Sequence, residues 1–422
     1  MSNTLKLGNG KWATGKDTVL AYNDLNSNYK PLAFSFSRAS SGTVINKDGL
    51  IETVGAGEPR IDFKDNTKGS LLLEPSRSNL VTYSEDLSTW TSINVDKTLT
   101  QVKNPSGNLG VYKIAANSTA TTHYIELYPN SATSGVDYTF SFFAKINGSN
   151  FVQVALSTGF SALYQNFNLL DGTLGNGNLT SGYSSNIEAI GNGWYRISVK
   201  GNTVSETARF LTIPILTDIA SRNPSFVGNG NLGIYVWGFQ KEQGSYATSY
   251  IPTSGQANGV TRVADVCNNG ANEQVINSTE GVLYAEIKGF ISQDTTEPNR
   301  YITITNGTSN ERVALLLGGN TNQLRAIIYS STQSINLSFT TSLTDVKQFN
   351  KLAVKYKSGD YAFFLNGAKI GGSTETSIFS ENTLNDFSFD VGGGTQQFRG
   401  MVKDIKLYNT ALTDQELIAL TS

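Results

Sequence analysis

The sequence is short of the side chains on which most enzyme chemistry depends. Its 422 residues include one cysteine and one histidine. A lone Cys267 closes no internal disulfide, so no covalent staple is expected. No basic neighbour is at hand to lower its thiol pKa, which argues against a nucleophile. His123, in "TTHYIELY", would have to serve alone in any His-based cluster, and it reads instead as a strand residue on a polar face. No metal site, no cofactor and no catalytic residue is expected.

Charge is also scarce. Charged residues make up 16% of the chain, against about 25% in ordinary globular proteins. The net charge is −2 with no basic run, so nucleic-acid binding by phosphate neutralisation is not expected. No segment approaches 18 apolar residues, which excludes a membrane-spanning helix. The opening "MSNTLKLGNGKWATGK" has no apolar core of the signal-peptide kind, so folding in the cytoplasm is expected.

What is abundant points one way. Ser, Thr, Asn and 41 Gly fill the deficit, with 21 Phe and 19 Tyr. Such a composition favours short strands and many turns over helices. The expected class is all-β: an N-terminal extended β arm, two β-sandwich (jelly-roll) domains and a short C-terminal helix.

Residues 1–80 hold strand-like pieces such as "LAFSFSRAS" and "LLLEPSRSNLV" but too little apolar content for a core of their own. They are expected to be an arm for anchoring and oligomerisation, packed against something else. Asp48-Gly49 reads as a type I′ hairpin turn. Residues 81–255 carry eight strands at sandwich spacing. In "YTFSFFAKI", Tyr138, Phe140, Phe142 and Ala144 share one face. Trp194 and Trp237 alternate with apolar neighbours and read as core. Residues 256–279 are poor in large apolar groups and read as a linker. Residues 280–422 give a second sandwich, with Asn366-Gly367 as a hairpin turn. In "LTDQELIAL", Thr413 and Glu416 form a capping box, and Leu417 and Leu420 should be buried.

Two sets of residues stand out. In "QLRAIIYSS", Leu324, Ala326 and Ile328 take the core face, leaving Arg325 and Tyr329 on the open one. A tyrosine ring and a guanidinium suit stacking on a sugar with hydrogen bonds beside it. Tyr124 and Tyr164 are the analogous candidates in the first sandwich. The second set lies in "FSRASSGTVINKDGLIETVGAGEPRIDF", where Arg38, Glu58, Arg60 and Asp62 read as exposed ion pairs that hold the arm in register. The same stretch contains no catalytic spacing. Glu58 and Asp62, four residues apart, would stand ~13–14 Å apart on an extended strand. A glycosidase needs its carboxylates closer, about 5–10 Å. "VLYAEIKGF" supplies only Glu286, not a run of closely spaced acids. The chain is expected not to be an enzyme.

"FRGMVKDIKLYNTALTDQELIAL" resembles the end of concanavalin A-like, laminin-G-type lectin domains. "GNGWYRISV" and "IYVWGFQKEQGSYATSYIPTSG" resemble the carbohydrate-binding-module jelly rolls of phage structural proteins. "LKLGNGKWATGKDTVLAYND", "FSRASSGTVINKDGLIE", "GEPRIDF" and "LLLEPSRSNL" are similar to the N-terminal portions of phage head- and tail-fibre proteins. The resemblance implies a structural subunit of a bacteriophage virion appendage, exposed on the particle and made in the host cytoplasm. It implies a homotrimer, other virion proteins as partners, and contact with host surface polysaccharide. The alternatives are a purely architectural virion protein and a cellular glycan-binding protein or glycosidase.

Overall fold

Period-two alternation of side chains underlies this fold, because a strand on a sandwich turns one face to the core. The computed structural model describes residues 4–23, 33–126, 131–253, 255–256, 259–291, 299–343 and 345–422. Among them the one helix is Asp414–Thr421, and all other regular structure is strand. The chain divides into two compact units. The first comprises Met1–Asn46, Thr53–Pro75 and Val263–Ser422, and the second Lys47–Glu52 and Ser76–Arg262.

The second unit is a sandwich of two six-stranded antiparallel sheets around one core. Its longest strands, Asp137–Asn147 and Gly233–Gln243, pair with each other. Tyr138, Phe140, Phe142 and Ala144 all face the core, as the alternation requires. Phe142 stacks on Phe239 at 4.9 Å between ring centres, and Phe140 on Phe210 at 4.8 Å. Trp194 and Trp237 are both buried. His123 departs from expectation. It is fully buried rather than on a polar face, with its two ring nitrogens 2.6 and 2.9 Å from the carbonyl oxygens of Asn94 and Phe226.

Lys241 is an unusual member of this unit. Its ammonium is buried over the Tyr138 ring and donates to the carbonyls of Ser131 (3.0 Å) and Ala208 (3.3 Å). Burial lowers its pKa to about 8, from 10.5 in the open chain. Between those two values the unfolded chain holds more protons than the folded one, so stability rises with pH across that window. The expected result is a urea midpoint that climbs from pH 8 to pH 10.5 in the native protein relative to Lys241→Met, where this slope is gone.

The first unit is also a sandwich. An eight-stranded sheet faces a five-stranded one across a single core. Residues 4–23, 33–46 and 53–73 supply strands to it. Leu5–Gly8 pairs with Gly400–Tyr408, setting Leu5 opposite Leu407 and Leu7 opposite Ile405. Ser70–Leu73 pairs with the other end of that strand. Leu5, Leu7, Val19, Phe34, Phe36, Leu71 and Leu73 therefore share the core of the C-terminal sandwich, together with Cys267, Val275 and Ile276. Burial of Cys267, with Asp265 nearby, raises its thiol pKa and keeps it inert.

Turn chemistry behaves as the local sequence dictates at Asn366-Gly367. Both residues have positive φ (45° and 81°) and join Leu365 to its partner Ala368. Asp48-Gly49 does not form such a turn. The connection runs over residues 46–50, and of the two only Gly49 has positive φ. At the helix, the Thr413 hydroxyl accepts from the Glu416 N–H and the Glu416 carboxylate accepts from the Thr413 N–H at 2.8 Å. Leu417 is fully buried and Leu420 packs partly against the same cluster.

Candidate functional site

The five-stranded sheet of the first unit runs Ile335–Ser342, Gln323–Ser330, Glu311–Leu317, Arg300–Thr305, Asp386–Ser388. Its inner face is apolar: Ile302 and Ile304, Val313 and Leu315, Leu324, Ala326 and Ile328 all enter the core. The alternate residues stand on the outer face, and the register sorts them into rows. One row reads Asp386, Thr305, Arg312, Tyr329, Asn336. The next reads Ser388, Thr303, Ala314, Ile327, Ser338, and the third Tyr301, Leu316, Arg325, Thr340.

This face has an apolar floor with polar groups set around it. Tyr301, Ala314, Leu316 and Ile327 are buried, and Val391 folds over to join them. The Arg312 guanidinium lies 4.8 Å from the centre of the Tyr329 ring and donates to the Ser309 carbonyl. Arg325 donates to the Ser338 hydroxyl at 3.1 Å. The Nε atoms of Arg312 and Arg325 and the Thr303 hydroxyl are buried from solvent with no hydrogen-bond partner. Burial holds the Arg312 pKa below the usual arginine range, although Tyr301 and Tyr329 nearby favour its charge. Two acids close the edge. Asp386 accepts from the Ser388 hydroxyl, and Asp390 from Asn268 (2.8 Å) and the Gly392 N–H (2.6 Å). Burial raises the pKa of both.

Arg325 and Tyr329 thus share this face, as the alternation predicts. They stand in different rows, with Ile327 between them on the same strand, so the group beside the Tyr329 ring is Arg312. Sequence reading missed Arg312 and Tyr301. The signal was present, since "ERVALLLGG" and "RYITITNG" alternate in the same way, but pairing was needed to bring them beside Tyr329.

Tyr124 and Tyr164 also share an outer face, that of the sheet containing Phe151–Leu156 in the second unit. There they join Phe151, Leu211, Ile213 and Ile215. Tyr164 is 7% exposed and Tyr124 half-buried. Residues 218–223 close over this face. Gln153 donates to the Ser221 carbonyl at 3.0 Å, and Asn166 to Asp218 at 2.8 Å.

The acidic and basic residues near the N-terminus form a buried network in the first unit. Arg60 pairs with Glu74 (2.7 Å) and with Asp265, and Arg38 pairs with Asp265 at 3.0 Å. All four side chains have 3% exposure or less, so these are not surface pairs. Burial by itself would lower the Arg60 pKa, but Asp265 and Glu74 hold it above the usual arginine value. Glu58 and Asp62 take other roles. The Glu58 carboxylate accepts from the Gly55 N–H, and Asp62 accepts from the N–H groups of Ile45 and Lys64 at 2.9 Å each. Among the described residues, no group of three or more His, Cys, Asp or Glu comes together as a metal site.

Residues 290–418, which contain the whole five-stranded sheet, match the family model of the concanavalin A-like lectin/glucanases superfamily. No curated protein matches the chain. Among solved structures, the chain is similar to the Ruminococcus gnavus IT-sialidase CBM40 bound to α2,3-sialyllactose. That likeness is at 16% identity, over 37% of this chain and 94% of that one, with a TM-score of 0.31. Domain 4 of the Geobacillus stearothermophilus arabinanase AbnA, in complex with arabinotriose, is 14% identical over 42% and 83%, TM-score 0.31. Mouse laminin α1 domains LG4-5 are 9% identical over 78% and 96%, TM-score 0.25. Likeness at these scores decides nothing about a ligand.

Proposed function

We propose that this chain is a glycan-binding β-sandwich protein and that the outer face of the five-stranded sheet is its contact surface. One observation carries this reading. Two guanidinium Nε groups and the Thr303 hydroxyl are held without protein partners around an apolar, tyrosine-bearing floor. Unpaired buried donors cost free energy unless a ligand satisfies them. A sugar laid on this face offers its ring oxygens and hydroxyls to the guanidinium groups of Arg312 and Arg325 while its apolar face covers Tyr329 and Ile327. The superfamily matched by residues 290–418 supports the same reading. We read the role as binding rather than catalysis; Asp386 and Asp390, the acids at the edge of this face, are held by Ser388, Asn268 and the Gly392 N–H.

The setting we favour is a bacteriophage virion appendage, head or tail fibre, assembled as a homotrimer with other virion proteins. It rests on the resemblance of "GEPRIDF" and "LLLEPSRSNL" to fibre-type sequences and of "IYVWGFQKEQGSYATSYIPTSG" to the jelly rolls of phage structural proteins. A cellular glycan-binding protein would use the same face. Antibody labelling of purified virions separates the two settings.

A glycan array probed with the intact chain tests the binding itself. At least one glycan class should bind, and Arg312→Ala should weaken that binding about 10–100-fold, the worth of about 1.5–3 kcal/mol for a hydrogen bond to a charged group. Release of reducing ends on incubation, or no binding to any class by the folded chain, would overturn the proposal.

A further inference from the structure

The outer face of the eight-stranded sheet carries a second polar constellation. Strand Glu280–Lys288 lies between Asn350–Lys357 and Gly400–Tyr408, and their register sets Glu286 opposite both Lys351 and Asp404. Tyr284 stands opposite Lys406, whose ammonium sits 4.6 Å from the centre of its ring. Leu5–Gly8 extends the sheet, and residues 66–68 wall off the far side. The result is an open depression of ≈ 450 Å³.

Four lysines line it against two carboxylates. Lys403 pairs with Glu286 at 2.5 Å and Lys406 with the Asp404 Oδ2 at 2.7 Å. Lys68 donates to the Asn9 side-chain oxygen at 2.7 Å, and Lys351 to the Ser422 carbonyl. Each ammonium carries three donors, so every one of these contacts leaves donors to spare. The walls are therefore net positive and rich in unused N–H. Among the acceptors one stands out. Asp404 is 2% exposed, and its Oδ1 has no hydrogen-bond partner. A buried carboxylate oxygen left bare is costly, and the groups around it do not reach it. Burial also raises the Asp404 pKa, against the pull of Lys406 and Lys6.

We propose that this depression is a second binding site, for a hydroxyl-bearing anion such as an acidic sugar unit. The acid group accepts from the spare donors of Lys68, Lys351 and Lys403, and an adjacent hydroxyl donates to Asp404 Oδ1. A neutral sugar leaves the lysines unanswered, and a simple anion leaves Asp404 unanswered. The choice of a saccharide rests on the glycan reading above, while the site is separate from the arginine rows. A polyol phosphate has the same chemistry and is the other source to distinguish.

Calorimetric titration of the full chain tests this, with a glucuronate tetrasaccharide, a neutral glucose tetrasaccharide and glycerol phosphate as probes. The experiment starts from Arg312→Ala/Arg325→Ala, which removes the first face. In that background an anionic probe should still bind, at least tenfold tighter than the neutral one. Adding Lys68→Glu, an exposed position that leaves folding intact, should weaken it at least tenfold, and Lys403→Gln should do the same. Glucuronate binding more tightly than glycerol phosphate names an acidic sugar as the source, and the reverse order names a polyol phosphate. Anionic binding that is lost with the two arginines, or that is indifferent to both lysine changes, overturns the second site and leaves the first face standing. If the lysine changes alone abolish all glycan binding, the second site stands and the first face falls.

Discussion

Arg60→Met should destabilise the first unit by about 3–5 kcal/mol, the range found when one partner of a buried ion pair is removed. The Arg60 side chain is fully buried and neutralises Glu74 while sharing Asp265 with Arg38. Without it, two buried carboxylates share one guanidinium. Glu74 then loses its ion pair with Arg60, and less of its desolvation is offset. Domains are stable by only about 5–15 kcal/mol, so a loss of this size should be plain in the denaturant midpoint. Glu58→Gln is the contrast. Glu58 is exposed and its carboxylate only caps the Gly55 N–H, so a change within about 0.5 kcal/mol is expected. Equal effects from the two substitutions would show that the network is not what fixes these segments. Arg60→Met/Glu74→Leu should recover part of the loss, because it removes a stranded charge along with its partner.

Leu5→Ala/Leu7→Ala should be at least as damaging. Each leucine is fully buried in the core of the first unit and pairs across to Leu407 or Ile405. A buried Leu→Ala change costs about 2–5 kcal/mol, so the two together approach the whole stability of a domain. Their strand also covers an edge of Gly400–Tyr408 that would otherwise be open to pairing with another chain. The expected outcome is loss of the cooperative thermal transition of this unit, with aggregation on heating. A chain reduced to residues 280–422 should fail in the same way, since it lacks these leucines together with Val19, Phe34, Phe36, Leu71 and Leu73. An unchanged transition in both would mark the N-terminal strands as a detachable arm, free to serve as an anchor.

The candidate faces were half legible. Alternation in "QLRAIIYSS" put Arg325 and Tyr329 on one side, and the structure agrees, because a strand cannot bury Leu324, Ala326 and Ile328 without turning the others outward. The same alternation says nothing about which strand lies alongside. Arg312 reaches the Tyr329 ring only because Glu311–Leu317 pairs with Gln323–Ser330 in that register. In the second unit, Tyr124 and Tyr164 were legible as candidates, but not the segment around Asp218 and Ser221 that closes over their face.

By itself the sequence determined what is local. It set the strand-rich class, the core face of Tyr138, Phe140 and Phe142, the Asn366-Gly367 turn and the capping box of Thr413 and Glu416. Each follows from side-chain period or backbone preference within a few residues. Only the tertiary structure decided what depends on partners far along the chain. Arg60 finds Asp265 at a separation of 205 residues, and Leu5 meets Leu407. Many strands offer a similar edge to a short apolar segment, and which one it joins is settled by the burial of the whole core. Charges that read as surface pairs in the sequence became interior ones for the same reason: the strands bearing them were drawn into that core.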